Sequence, residues 1–371
     1  EEDELEAVDL DWIQHGIRVN GGFEDLGTFL SSVRLSLNVS SWEHNELEIM
    51  PDGTEQIGTE FNNDQIVYRA DFDQDSYKAL TGSFGLWGIH RSYDATGEEA
   101  LSPPVDQNGF ALFTLQEVDL EKVRFQFGGR VEHIRYHPKG AVERGDEHDH
   151  DHGDEEEPDT EPVLLPERSF TGVSGGVGMR VPLWKDGALV ANYTNSYRAP
   201  SLEELYNYGP HVGNLAFEIG NPYLDGERSN GFDLSLRHAG ERVSGEINFF
   251  YYSINNFIYA APTGHVEHNL FEVIYAHGDS RFVGTEFQLD LGLTEQFWLN
   301  LGLDTVDAHL THSGVSLPRI PPLRGRIGFD YRNRGFSVRP QVVLASNRED
   351  IFPTETPTAG YGVVNLDASY T

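Results

Sequence analysis

Residues 145–159 read GDEHDHDHGDEEEPD, so His148, His150 and His152 alternate with Asp149 and Asp151 ahead of a run of carboxylates. Spacing of i, i+2, i+4 places the imidazoles on one side of an extended chain. With the neighbouring acids they make a mixed nitrogen and oxygen donor set suited to Zn(II). Cu(II) and Ni(II) accept the same donors, and intrinsic affinity favours copper. The tract has no apolar anchor and sits between Gly145 and Gly153, so its other reading is a solvated acidic loop.

Three further places offer donors. His211 follows Gly209-Pro210, where the backbone is constrained, so it is better placed to hold an ion than a histidine in a polar tract. The alternative is an ordinary surface histidine. His44, Glu46 and Glu48 share one face if the strand through 41–48 continues, the alternative being a charged strand end. His265, His268 and His277 form a third group.

The composition narrows what these donors serve. The chain has 371 residues, with 26 Lys and Arg against 61 Asp and Glu, a formal charge of -35. That excludes a surface built for nucleic-acid phosphates and suits one that concentrates cations. Aromatic residues at 12% and 39 glycines describe a turn-rich all-β chain rather than a disordered one. With no cysteine, any metal is held by His, Asp or Glu. No nucleophile–base pattern, phosphate-binding glycine loop or HExxH helix is present, so the reading is not an enzyme. No run of about 18 apolar residues occurs, as expected too of a membrane barrel that crosses with strands.

The elements that position the donors alternate apolar and polar with a period of two. Segments 33–39 (VRLSLNV), 232–238 (FDLSLRH), 287–293 (FQLDLGL) and 298–304 (WLNLGLD) are the clearest. Short turns near 71–77, 119–122, 185–187, 238–241, 293–296 and 332–335 alternate with long connections at 44–57, 94–106, 138–167, 198–225, 261–280, 311–320 and 347–359. That is the layout of an antiparallel outer-membrane β-barrel, with short periplasmic turns and long extracellular loops. About fifteen strands are represented. All of 1–371 is read as one barrel domain, with 138–167 its His/Asp/Glu-rich extracellular loop. The chain opens in a charged run and stops inside a strand, so more barrel is expected beyond both ends. Every histidine except His15 and His238 falls in a long connection or at a strand end feeding one.

Four blocks, in order, resemble TonB-dependent outer-membrane receptors: NYTNSYRAPSLEELY (192–206), EIGNPYLDGERSN (218–230), LPRIPPLR (317–324) and GYGVVNLDASY (360–370). The run GGFEDLGTFLSSVRLSLN (21–38) and a His/Asp-rich loop ahead of LLPERSF (164–170) look like the zinc-uptake receptors of the ZnuD type. The resemblance implies a barrel of roughly 22 strands, a plug domain, energy from the TonB–ExbB–ExbD complex and zinc held in the outer vestibule by plug residues with a barrel histidine and carboxylate. It maps that histidine onto His211 and its acidic partner onto Glu46, Glu48 or Glu55. Two features depart from the family: no plug or TonB-contacting stretch is recognised, and Gly226 stands where its GNPxLxPE block has proline. Uptake of a haem, siderophore or other chelate, and a passive porin-like barrel, are the alternatives. The acidic balance disfavours an anionic chelate.

Overall fold

The computed structural model describes residues 7–27, 29–97, 100–142, 163–211, 215–267 and 270–371. One antiparallel meander organises them. Its strands are β1 (Ala7–Glu24), β2 (Leu30–Ile49), β3 (Glu55–Gln74), β4 (Leu80–Gly97), β5 (Val105–Leu120), β6 (Val123–Pro138), β9 (Arg168–Trp184), β10 (Gly187–Arg198), β13 (Glu227–Ala239), β14 (Val243–Glu267), β15 (Leu270–Gly292), β16 (Phe297–Leu310), β17 (Arg324–Asn333), β18 (Phe336–Ala345) and β19 (Tyr361–Tyr370). Each pairs with the next, which bears out the barrel wall and its strand number. Two short strands within one long connection, β11 (Tyr208–His211) and β12 (Ala216–Ile219), bring the sheet to 17. A separate ribbon, β7 (Ala141–Val142) with β8 (Val163–Leu164), stands at the base of the His-rich loop.

The connections alternate as the sequence suggests, with one correction. At one end the turns are brief. Arg334 (φ 48) and Gly335 (φ 84) close the β17–β18 hairpin with both central residues left-handed, the geometry that matches strand twist. At the other end, 44–57 and 261–280 are not loops. Paired ladder continues to Ile49↔Glu55 and to Glu267↔Leu270, so these are hairpins rising beyond the wall. A membrane crossing needs only about 9–11 residues per strand, whereas β14 has 25 and β15 has 23. Alternation of apolar and polar side chains continues past the membrane zone there, so sequence punctuation alone does not mark where the span ends.

Face assignment follows from exposure. Leu35, Leu37 and Val39 are exposed, as are Leu112, Phe127, Val131, Phe232 and Leu303, which together form an apolar outer band for lipid. The alternate positions of β2 (Arg34, Ser36, Asn38) face the lumen. No helix of the described residues is long and apolar enough to cross a membrane. Among the described residues β1 pairs only with β2 and β19 only with β18, and both edge strands are exposed on both faces.

The packed core lies at the loop-rich rim rather than in the wall. There the connection 199–226 folds onto inward-facing side chains. Leu202, Leu205, Tyr206 and Leu224 pack with Val105, Tyr136, Phe170 and Ile258. The helix α1 (Leu202–Tyr206) starts in a capping box, Ser201 and Glu204 each accepting from the other's backbone N–H. Tyr136 donates to the Pro200 carbonyl (2.9 Å), Tyr206 to the Pro166 carbonyl (3.0 Å) and Arg168 to the Leu224 carbonyl (2.9 Å). Leu205 is fully buried, so Leu205→Ala leaves a void costing about 2–5 kcal/mol. Limited proteolysis of the folded barrel should show cleavage within 199–226 several-fold faster while the wall stays protected. Cleavage at the wild-type rate would show that the connection does not depend on this core.

Candidate functional site

His211 ends the short strand β11, whose partner β12 also runs parallel to β15 through Glu218↔Val273. Its Nδ1 lies 2.9 Å from Oε1 of Glu218. Glu218 is only 3% exposed, and its Oε2 accepts from Asn207 Nδ2 (3.0 Å) and from the Tyr275 hydroxyl (3.0 Å). A buried carboxylate is costly unless charge and hydrogen bonds compensate it. Here the imidazole supplies the charge, and two neutral donors satisfy the remaining oxygen. Glu218 in turn raises the His211 pKa above its usual value, chiefly through that hydrogen bond, with burial opposing it; Glu46 adds a weaker pull and Arg319 a weaker push.

The elements that hold this arrangement are tight. The strand β12 returns directly to α1, with Gly220 N–H donating to the Asn207 carbonyl. A Cβ on Gly220 would lie 2.6 Å from the backbone nitrogens of both Asn207 and Tyr206, so no side chain fits. The glycine of the GNP block thus brings Glu218 and Asn207 together.

Glu46 reaches the same vestibule from the wall. The β1–β2 register has no irregularity, so His44, Glu46 and Glu48 keep the parity of Arg34, Ser36 and Asn38 and face the lumen. His44 packs against Trp42 and Phe61, with ring centroids 5.2 and 5.5 Å away, and its Nε2 is 3.8 Å from Glu46 Oε1. Glu48 turns to Gln56 across the hairpin (3.0 Å). Of the three acidic candidates, Glu46 is the one electrostatically coupled to His211.

The third histidine group is not brought together. His265 lies near the hairpin tip, 3.9 Å from Glu272, whereas His277 pairs with Ile258 well down the ladder, and its Nδ1 accepts from Asp225 N–H at 3.5 Å. His268 and the tract with His148, Asp149, His150, Asp151 and His152 lie outside the described residues. Two features escaped the sequence reading. Glu218 stood in a quoted block without a role, because nothing in its neighbours' identity signals burial. The other is a cluster of Asp307 and His309 on β16 with Asp350 from the 346–360 connection.

The fold has solved counterparts. The copper transporter OprC superposes with a TM-score of 0.81 at 14% identity over 98% of this chain and 58% of its own. The hemophore receptor HasR of Serratia marcescens, solved with its hemophore HasA and heme, gives 0.70 at 15% identity over 98% of this chain and 61% of its own. The FrpB iron transporter of Neisseria meningitidis gives 0.67 at 11% over 96% and 56%. The chain therefore spans less than two thirds of each of these structures. The family model for the TonB dependent receptor-like β-barrel matches residues 4–371, and with the meander, lipid band and loop-rich rim already described, the chain belongs to that family.

Proposed function

We propose that this barrel is part of a TonB-dependent outer-membrane receptor that binds and imports a divalent metal ion, zinc above others. The observation that carries the reading is the His211–Glu218 pair. A carboxylate gripping one imidazole nitrogen fixes the tautomer and raises the basicity of the other, the outer-shell arrangement of metal-binding histidines. Glu218 is itself held by Asn207 and Tyr275, so the ring is positioned before an ion arrives. Glu46 and His44 supply further lumen-facing donors from the wall. In the receptors this chain resembles, plug residues complete the set, and the TonB–ExbB–ExbD complex drives release.

The donor chemistry favours zinc over Cu(I) and over anionic chelates, while Cu(II) and Ni(II) accept the same donors. The chain has no cysteine and two methionines, a poor supply of the soft ligands that Cu(I) selects. A net charge of -35 draws cations to the vestibule and repels anionic chelates. The tract 147–152 would act in cation capture, a role distinct from that of the His211–Glu218 pair. OprC is named a copper transporter, FrpB an iron transporter and HasR a hemophore receptor, so the shared fold does not by itself select the cargo.

Zinc titrated into the intact receptor in detergent should bind saturably, and His211→Ala should weaken that binding at least tenfold. Glu218→Gln should cost 10–100-fold, as for other partners of ligating histidines. Unchanged affinity in both would remove this site; binding of a ferric chelate instead of zinc would keep the barrel and overturn the cargo.

The pH dependence has a definite sign. Zinc needs neutral imidazole, and the His211 pKa is raised above the ordinary 6.5. Affinity should therefore climb as pH rises through that raised value, and the midpoint should move down in Glu218→Gln. Without metal the pairing's stabilisation is complete below the unfolded pKa of about 6.5 and is lost as pH rises through the folded one. A midpoint unmoved by Glu218→Gln would show that Glu218 does not set the His211 proton.

A further inference from the structure

The 346–360 connection crosses the end of β16 and is ordered there. Phe352 is 2% exposed and meets Tyr259 edge to face at 6.0 Å, Arg348 donates to Ser316 Oγ at 2.8 Å, and the Arg319 N–H donates to Glu355 at 2.6 Å. This seats Asp350 beside His309, whose Nε2 lies 3.2 Å from Asp350 Oδ2. On the other side of the same ring, Nδ1 lies 3.2 Å from Asp307 Oδ2. Among the described residues this is where His, Asp or Glu ligand atoms from three residues approach within 4.8 Å of one another.

The two ring nitrogens differ. Nε2 makes a directed hydrogen bond to Asp350, which fixes the proton there and leaves a lone pair on Nδ1. Nδ1 is shielded from solvent and has no hydrogen-bond partner, although the Asp307 carboxylate is so near. The oxygen is close enough but off the axis of a hydrogen bond. Two ligand atoms sharing one tetrahedral zinc, each about 2.0–2.2 Å from it, stand about 3.3 Å apart without pointing at each other. The Asp307–His309 separation matches that spacing. The ring's other nitrogen is anchored by a carboxylate, as second-shell partners of ligating histidines are.

We infer that Asp307 and His309, with Asp350 anchoring the far side of the ring, form a second divalent-cation site, of the zinc or cobalt class, on the outer flank of the wall. Asp307 and His309 continue the series of the exposed Leu303, whereas Ala308 and Leu310 are buried on the opposite face beneath the 311–323 connection. The site is thus on the other face of the wall from the lumen-facing His44 and Glu46. Its ion clamps the 346–360 connection to the rim and does not lie on the import route.

The test is titration of Co(II) and Zn(II) into the intact receptor in detergent, with heat-modifiable gel mobility reporting that each variant is folded. His309→Gln and the double variant Asp307→Asn/Asp350→Asn should each lose one equivalent of bound Co(II), while His211→Ala keeps it. Because this chain has no cysteine, His309→Cys should give a thiolate-to-cobalt charge-transfer band absent from the wild type. Undiminished cobalt stoichiometry in His309→Gln, or no new band in folded His309→Cys, overturns the inference. Zinc affinity unchanged by His211→Ala, with this equivalent present, would count against the import reading alone.

Discussion

The constraint beneath everything else is that a backbone in hydrocarbon must pair every N–H and C=O within the protein. A meander of antiparallel strands meets it by pairing each strand with the next, and the ladders from β2 to β18 show this, with local irregularities such as those at Leu30/Ser32 and Ile254/Phe257. The same pairing fixes which side chains face out. Once Leu35 and Leu37 are committed to lipid, Arg34 and Ser36 must face the lumen, and His44 and Glu46 follow by parity. Function is therefore confined to the lumen face and the rim, where the chain is released from the ladder.

The rim resolves a second problem, the placing of a charged group away from water. Glu218 is buried where β12 lies between β11 and β15, and the chain packs there against Tyr206 and Asn207 only because Gly220 has no side chain. Burial would drive the carboxylate to protonate if nothing compensated it. Asn207, Tyr275 and His211 compensate that burial with hydrogen bonds to both oxygens, and its hold on His211 follows. Donor count and donor preorganisation are separate quantities, and the sequence displays the first far more openly than the second.

Much of the architecture was legible because period-two alternation is a local property. The strands at 33–39, 232–238 and 298–304 stand where alternation puts them. The misread connections, 44–57 and 261–280, show the limit. Their residues are polar and charged as loops are, yet two long partners in register hold them as ladder beyond the membrane. The helix α1 had a readable start in Ser201 and Glu204, a capping box three residues apart.

By itself the sequence determined the strand pattern, the alternation of short and long connections, the excess of acid and the restriction of metal donors to imidazole and carboxylate. These depend on residue type and on neighbours one or two positions away. Only the tertiary structure decided which donors work together. His211 meets Glu218 across a short ladder, Tyr275 reaches Glu218 from β15, and Asp350 comes to His309 from a connection 41 residues further along. Burial and convergence are set by packing between segments distant in the chain, so no local spacing rule can report them.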